Sequence, residues 1–388
     1  MKKVLEKMMN LRTRIIFLGI IGAVAWLGFS ATSTASGDGM KLAWSVKTSG
    51  PINLPPEISG NVVMVVPKGQ PLMAFNANNG SPLWQYGPEA EVWSRSLGSD
   101  AKRVYACTKG GKISALDINS GKKLWETNLG IDCQRQPHIS NDGTIYVSTT
   151  LVGQGIETKA YTGAKLFSIN PETGAINWSF KTDTYLLQTP YGYGDTVYVG
   201  GSYRDPEFKE EEGGPIRFYS LNSKSGKPNW IHESHDGLPK ALYATKERMI
   251  YVGYQDYIVG IDAANGEKVW RKDAGNWVPS LNGLGDMVFY GAANTKVHAW
   301  NTKDGKARWM FNIPGGSFNY MLGKPFFSGD RMYFMSQKGT VFSLNHKTGK
   351  EIWSQTTGMD ARAGLNVGGK MLFMGDSKGN VYAYSILK

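Results

Sequence analysis

The chain of 388 residues is longer than most single domains, although a regular array of repeats can extend one fold to this length. Its 48 glycines, 12% aromatic residues and only 19% charged residues argue against a disordered chain or a coiled coil and favour many short strands joined by tight turns. The net charge of +11 favours anionic partners.

Residues 1–36 have the pattern of an export segment. A basic flank precedes an uncharged apolar run from Ile15 to about Ala31, and the small residues Ser33 to Ala35 that follow suit a signal peptidase. The run is also just long enough to span a membrane, so a cleaved signal peptide and an N-terminal membrane anchor both stay open. Because the basic flank stays in the cytoplasm, we expect residues 37–388 to be periplasmic or otherwise extracytoplasmic. Nucleic acid is therefore not an expected partner.

One pattern recurs seven times after this segment, for example ISALDINSGKKLW and VFSLNHKTGKEIW. Each copy has Asn or Asp, then Gly four residues later, then Trp four residues after the Gly. This spacing predicts a hairpin in which the Asx side chain caps the turn, Gly supplies a positive φ, and the Trp packs between neighbouring repeats. With Trp44, which fits the same position, the predicted structural tryptophans are Trp44, Trp84, Trp125, Trp178, Trp230, Trp270, Trp309 and Trp353.

A second apolar strand precedes each of these hairpins, as in RVYACT and TVYVGG, and a connector strand precedes that one. Four antiparallel strands, A to D, therefore make each repeat. The C-terminal segment MLFMGDSKGNVYAYS supplies strands B and C of a repeat that lacks its fourth strand, and the segment around Trp44 can supply it. The sequence thus predicts an all-β, eight-bladed β-propeller over residues 37–388, closed by N- and C-terminal strands that share one blade.

The Asx, Gly and Trp signature resembles the PQQ-like repeat β-propeller family. That family includes the propeller of quinoprotein dehydrogenases and the propeller lipoprotein of the outer-membrane β-barrel assembly machinery. The resemblance covers about residues 41–388, and it implies the fold more strongly than any function, because one architecture hosts unrelated activities.

The face that carries the B-to-C loops and D-to-A connectors, here called the top face, is the predicted binding surface. Two long B-to-C loops, 151–164 and 202–214, enlarge it. We expect a basic, aromatic-rimmed channel mouth that accepts an acidic or carboxylate-bearing partner. The alternative for the mouth is that its arginines are simply solvated above a water-filled channel. The alternative for the two long loops is that they are tolerated insertions without a role. The predicted partner-binding residues are Trp93, Arg95, Arg135, Lys240, Trp277, Tyr320 and Arg362.

Cys107 and Cys133 are the only cysteines. Both are expected near the same rim in an oxidising compartment, which makes a disulfide plausible, with two half-buried free thiols as the alternative. No metal site is predicted, because the clustered pair His232 and His235 has no evident third ligand.

No nucleophile elbow, phosphate-binding loop or zinc signature is recognisable in this sequence. We therefore expect a non-catalytic extracytoplasmic scaffold or adaptor, monomeric within a larger complex, that binds membrane-associated or envelope proteins presenting acidic or extended segments. No cofactor is expected. Two alternatives stay open: an oxidoreductase-like protein that binds PQQ with calcium, and a glycan-binding propeller in which Trp93, Trp277 and Tyr320 stack on sugar rings.

Overall fold

In a computed structural model, the described residues of the chain form eight antiparallel sheets. The structure describes residues 38–87, 92–151, 163–184, 186–202, 216–235, 241–253 and 256–387. These residues belong to the unit Ser33–Lys388. The predicted export segment, residues 1–36, lies outside them, and in the described part of the chain no helix is long and apolar enough to cross a membrane.

The first described strand is β1 (Gly39–Lys47), and the four blades after it follow the chain. Blade 1 contains β2 (Glu57–Ser59), β3 (Val62–Val65), β4 (Leu72–Asn76) and β5 (Pro82–Tyr86). Blade 2 contains β6 (Val92–Ser99), β7 (Arg103–Thr108), β8 (Lys112–Asp117) and β9 (Lys123–Asn128). Blade 3 contains β10 (His138–Ile139), β11 (Ile145–Ser148), β12 (Lys165–Ile169) and β13 (Ile176–Lys181). Blade 4 contains β14 (Leu186–Leu187), β15 (Tyr191–Tyr193), β16 (Thr196–Ser202), β17 (Ile216–Asn222) and β18 (Pro228–Ser234).

The remaining blades repeat this order. Blade 5 contains β19 (Leu242–Ala244), β20 (Arg248–Val252), β21 (Tyr257–Asp262) and β22 (Lys268–Asp273). Blade 6 contains β23 (Leu281–Leu284), β24 (Met287–Ala292), β25 (Lys296–Asn301) and β26 (Ala307–Asn312). Blade 7 contains β27 (Met321–Ser328), β28 (Arg331–Ser336), β29 (Thr340–Asn345) and β30 (Glu351–Thr356). Blade 8 contains β31 (Ala361–Gly368), β32 (Met371–Asp376), β33 (Asn380–Leu387) and β1.

The second and third strands of each blade hold most of the core. In blade 2, every residue of β7 and the apolar residues of β8 are buried, whereas the outer strand β9 is mostly exposed. Side chains on both faces of these middle strands are covered because each blade lies between two neighbours. The innermost strands contact one another in chain order, and β31 contacts β2, so the blades form a closed ring in which blades 2 and 6 are opposite. The predicted eight-bladed propeller is confirmed.

The repeated turns hold neighbouring blades together. Gly226 has a φ of +69°, and a Cβ on it would lie 2.6 Å from the Trp178 ring of the preceding blade. The Trp178 Nε1 donates a 2.8 Å hydrogen bond to the Ser223 carbonyl of the same turn. Seven tryptophans make this bond to the residue after the Asx position, namely Trp44, Trp84, Trp125, Trp178, Trp230, Trp270 and Trp309.

Trp353 is the exception, and the way the ring closes explains it. Its Nε1 is buried and has no hydrogen-bond partner among the residues that the structure describes. In the adjoining blade 8 the last hairpin is replaced by the antiparallel pairing of β33 with β1, so no Gly turn presents a carbonyl to the indole. Closure by strands from both ends of the propeller therefore removes one acceptor.

Blade 4 departs from the four-strand expectation because its inner strand is divided into β14 and β15, which both pair with β16. Pro190 lies between the two pieces, and it has no N–H group with which to continue the ladder.

Candidate functional site

The inner strands of the eight blades surround a central cavity of about 640 Å³. Every blade contributes at least one lining residue, and the wall is a mixture of prolines, aliphatic side chains and a few charged and amide groups. A cavity of this size falls in the range of ligand sites. The cavity is therefore the first candidate for a binding site.

Three inner strands carry a β-bulge, and each bulge contains a basic residue. In β6 the register passes from Val92 directly to Leu97, so that four residues including Arg95 lie opposite one residue of β7. The bulge of β27 contains Lys324, and that of β31 contains Arg362. A bulge redirects a side chain out of the normal alternation of the strand. Arg95 and Lys324 consequently line the cavity.

Arg135 lines the same cavity from the connector that leads into blade 3. Its Nε atom is buried, and the described residues offer it no hydrogen-bond acceptor. Burial lowers the pKa of Arg135, and the charge of nearby Arg95 lowers it further. The two guanidinium groups are thus close together, and the described part of the chain offers neither of them an ion pair.

A disulfide holds the segments that carry these two arginines. Cys107 is the β7 residue opposite the bulge of β6, and it is bonded to Cys133, two residues before Arg135, with a Cα–Cα distance of 5.8 Å. The Ser96 Oγ in the bulge accepts a 3.1 Å hydrogen bond from the Cys107 N–H. The predicted disulfide is present, and both cysteines are fully buried. It connects the bulge of Arg95 to the connector of Arg135.

Glu57 is the one carboxyl group among the described residues that line the cavity. The Ser99 Oγ donates a 2.8 Å hydrogen bond to the Glu57 Oε1. Burial raises the pKa of Glu57, while this hydrogen bond and the charge of Lys324 act in the opposite direction. Glu57 therefore already has a hydrogen-bond donor, and burial disfavours its charged form. Its negative charge offsets little of the positive charge in the cavity.

Lys324 lies across the ring from blade 3, since it belongs to blade 7. The Lys324 side chain is accessible from the cavity, but the surrounding blades enclose it. This enclosure lowers the pKa of Lys324, and the charge of Glu57 opposes the shift. The ammonium lies 5.5 Å from the centre of the Phe326 ring. It has no hydrogen bond or ion pair in the part of the chain that the structure describes.

His138 adds no positive charge to the cavity at neutral pH. Burial lowers the pKa of His138 to about 4, and a backbone hydrogen bond involving Gly192 opposes the shift. Its ring packs 5.1 Å from that of Tyr191, centre to centre. The described lining residues therefore present three cationic side chains against one carboxyl group.

A separate aromatic patch lies on the top face between blades 6 and 7. Trp277 and Tyr320 form an edge-to-face pair with ring centres 5.7 Å apart, and Phe318, two residues before Tyr320 in the chain, has 78% of its surface exposed. We call these three residues the aromatic patch. None of them lines the cavity, and the patch lies on the opposite side of the ring from Arg95 and Arg135.

The other predicted site residues are distributed as follows. Trp93 does not line the cavity either; it packs with Tyr105 and both cysteines, with its Nε1 buried and unpartnered. The predicted single, aromatic-rimmed mouth is therefore divided, because the bulge of β6 directs Arg95 into the channel and leaves Trp93 in the core between blades 2 and 3. Lys240, the side chain of Arg362 and the loop residues 152–162 and 203–215 lie outside the described residues.

Sequence reasoning missed Lys324, Glu57, Ser99 and His138. A Gly-Lys-Pro sequence inside a strand is a signal for a bulge and could have indicated Lys324. Among the described residues there is no group of three His, Cys, Asp or Glu side chains that could hold a metal ion, and His232 lies in β18 with its Nδ1 2.8 Å from the Gly266 carbonyl oxygen. The predictions of no metal and no cofactor stay predictions.

Comparison with known proteins assigns the family. The family model of the outer membrane protein assembly factor BamB matches residues 29–137, 111–272 and 254–388. The chain belongs to this family. The BamB protein of Yersinia pestis is 21% identical over 300 residues, which cover 70% of this chain and 72% of that protein.

Solved structures support the BamB-family fold. The crystal structure of BamB from Moraxella catarrhalis has a TM-score of 0.63 at 18% identity, covering 89% of this chain and all of the other. A quinohemoprotein alcohol dehydrogenase of Pseudomonas putida has a TM-score of 0.60 at 14% identity, covering 89% of this chain and 76% of the dehydrogenase. At these identities the likeness concerns the fold alone, which proteins of different activity share.

Proposed function

We propose that this protein is a non-catalytic scaffold of the cell envelope that takes part in outer membrane protein assembly by docking partner proteins on its top face. The family match over residues 29–388 supports the general role. The buried disulfide and the N-terminal pattern of residues 1–36 support a location outside the cytoplasm, in association with a membrane. We propose that no cofactor is needed.

The aromatic patch is the observation that carries the docking role. Large exposed aromatic side chains are uncommon on monomeric surfaces and common at the centres of protein interfaces. Phe318 has the largest exposed fraction among the exposed apolar side chains of the described residues, and Trp277 is 42% exposed. Phe318 also has a φ of +63°, a left-handed conformation that is unfavourable for a bulky residue. Such strain persists where the surrounding structure enforces it, often at binding sites.

The loop that presents Phe318 is held from within. Asn319 is buried, its Nδ2 donates a 2.6 Å hydrogen bond to the Pro314 carbonyl, and its Oδ1 accepts a 3.0 Å hydrogen bond from the Lys338 N–H. Gly315 and Gly316, with φ of +103° and +79°, allow the tight turn before it. Because the loop is already ordered, it loses little conformational entropy when a partner covers Phe318.

The test is to crosslink a tagged protein in native envelopes and identify the copurified proteins, comparing wild type with a Phe318→Ala, Trp277→Ala double variant. We expect the double variant to lose the assembly proteins that wild type retains. Tyr193→Ala is the matched control, since Tyr193 is 44% exposed at the end of β15, beside the A-to-B turn on the other face of the ring.

Unchanged copurification in the double variant, with folding verified by circular dichroism, would contradict docking at the aromatic patch. The absence of any cofactor is tested separately. A quinone absorption band that stays with the protein after incubation with PQQ and calcium, followed by desalting, would overturn that part of the proposal.

A further inference from the structure

The central cavity has an unbalanced positive charge. Arg95, Arg135 and Lys324 line it, and in the described chain none of the three has an ion pair or a hydrogen bond to a carboxylate. Glu57 is held by Ser99, and His138 is neutral near pH 7 because burial lowers its pKa to about 4. A buried guanidinium nitrogen without an acceptor, as at the Arg135 Nε, is unfavourable unless an anion supplies one.

The cations are placed by dedicated backbone features. Arg95 and Lys324 occupy bulges that interrupt β6 and β27, and a buried disulfide fixes the connector of Arg135 beside the first bulge. Two like charges are kept close together in this way although they repel each other. Bulges near a cavity and a covalent link between the two segments indicate a built site.

The positions of the cations indicate what kind of anion fits. Arg95 and Arg135 lie on blades 2 and 3, and Lys324 lies on blade 7, across the ring. A ligand that reaches both sides carries separated carboxylates. Gln136 and Gln188 also line the cavity, and the described chain gives their side-chain amides no hydrogen-bond partner. Such amides can pair with the N–H and C=O groups of an extended backbone. Pro56, Pro137 and Pro190 provide rigid apolar surface between these groups.

We propose that the central cavity binds an extended acidic segment of another protein, whose carboxylates pair with Arg95 and Arg135 and extend towards Lys324. Each guanidinium group can hold one carboxylate through two parallel N–H···O hydrogen bonds. This inference deepens the proposed docking function and rests on it for the protein nature of the partner. Arg95 and Arg135 lie on the opposite side of the ring from the aromatic patch, whereas Lys324 belongs to blade 7, beside the patch.

The test is fluorescence anisotropy with a labelled peptide of alternating Glu and Ala, about ten residues long so that it can reach through the ring. A peptide with Gln in place of Glu is the ligand control. We expect wild type to bind the Glu peptide and not the Gln peptide. Arg95→Gln and Arg135→Gln should each weaken binding about ten-fold or more. Arg308→Gln is the matched control, since Arg308 is exposed on the outer strand β26, and it should bind as wild type does.

Four outcomes would overturn the inference. Equal binding of the Glu and Gln peptides would mean that the cavity does not recognise carboxylates. An equal loss of peptide affinity in the Arg308→Gln variant would mean that the peptide does not bind through the cavity arginines. Binding of citrate that depends on Arg95 and Arg135, without binding of the Glu peptide, would assign the cavity to a small anion. No binding of either probe would leave the cavity without this role. The Phe318→Ala, Trp277→Ala variant should bind the peptide normally, so failure here is distinguishable from failure of docking at the aromatic patch.

Discussion

At the scale of single residues, the repeated glycines of the C-to-D turns do two jobs. Each has a positive φ, and each has no Cβ at a point where the Trp ring of the preceding blade makes contact. Both requirements exclude other residues, which is why these columns are so regular and why the turn could be predicted from the sequence. The side chains that line the channel do not repeat from blade to blade, so no recurring column in the sequence identifies them.

Replacing Gly226 with Ala tests this double requirement. The left-handed φ costs about 1 kcal/mol for Ala, and the new methyl group would collide with the Trp178 ring at 2.6 Å, for a total of about 2 to 4 kcal/mol of unfolding free energy. Gly194→Ala is the control in the same blade, because Gly194 has a φ of +56° and nothing within 4 Å. Urea unfolding should show a clearly smaller loss there. Equal losses would mean that the indole contact does not matter.

His298 makes the stability of blade 6 depend on pH. Its ring stacks on Tyr290 with centres 4.8 Å apart, and its Nε2 is buried with no partner in the described part of the chain. Burial lowers the pKa of His298 to about 4. Because this pKa lies below the usual value of about 6.5, the stabilisation is complete above pH 6.5 and is lost as the pH falls from 6.5 to 4.

We expect His298→Phe, which keeps a stacked ring and removes the titration, to lose less unfolding free energy than wild type between pH 7 and pH 4.5. The difference should be about 1 to 2 kcal/mol, since the imidazole is only partly buried. Urea unfolding at both pH values measures it. Parallel pH profiles of the two proteins would show that His298 is not responsible.

At the scale of elements, the middle strands could be predicted and the inner strands could not. RVYACT and TVYVGG become β7 and β16 as expected, because continuous apolar runs give a clear signal. The inner strands are short or bulged, and a bulge breaks the period-2 alternation on which sequence interpretation depends. The sequence therefore predicts Trp93 beside Arg95 at the channel mouth, whereas the bulge directs the two side chains differently.

The disulfide should stabilise the junction of blades 2 and 3. It closes a loop with a sequence separation of 26, which corresponds to about 3 to 4 kcal/mol in the chain-entropy description. We expect a Cys107→Ala, Cys133→Ala variant to lose up to this amount in urea unfolding, and to bind the Glu peptide more weakly because Arg135 is no longer fixed beside Arg95. Loss of stability with unchanged peptide affinity would show that the disulfide supports the fold without positioning the arginine.

At the scale of the whole molecule, the count of repeats predicts the architecture. Seven hairpins, a leading Trp44 and a final pair of strands leave one blade to be completed, and the pairing of β1 with β33 completes it. The same count implies which blades are opposite, but it could not indicate which side chains enter the channel, because that depends on the bulges of the inner strands. Closure places the paired arginines and the aromatic patch on opposite sides.

Ring closure also predicts a difference between two tryptophans of similar burial. Trp270 donates a 3.0 Å hydrogen bond to the buried Thr302, whereas Trp353 has no acceptor, because blade 8 has paired strands where the other blades have a turn. Trp270→Phe therefore loses a hydrogen bond and leaves a buried carbonyl unpaired, and Trp353→Phe removes an N–H group that was already unpaired. We expect Trp270→Phe to lower the unfolding free energy by about 1 to 2 kcal/mol more than Trp353→Phe. Equal losses in urea unfolding would mean that the indole of Trp353 finds an acceptor at the closing blade, and that closure leaves the ring as uniform there as elsewhere.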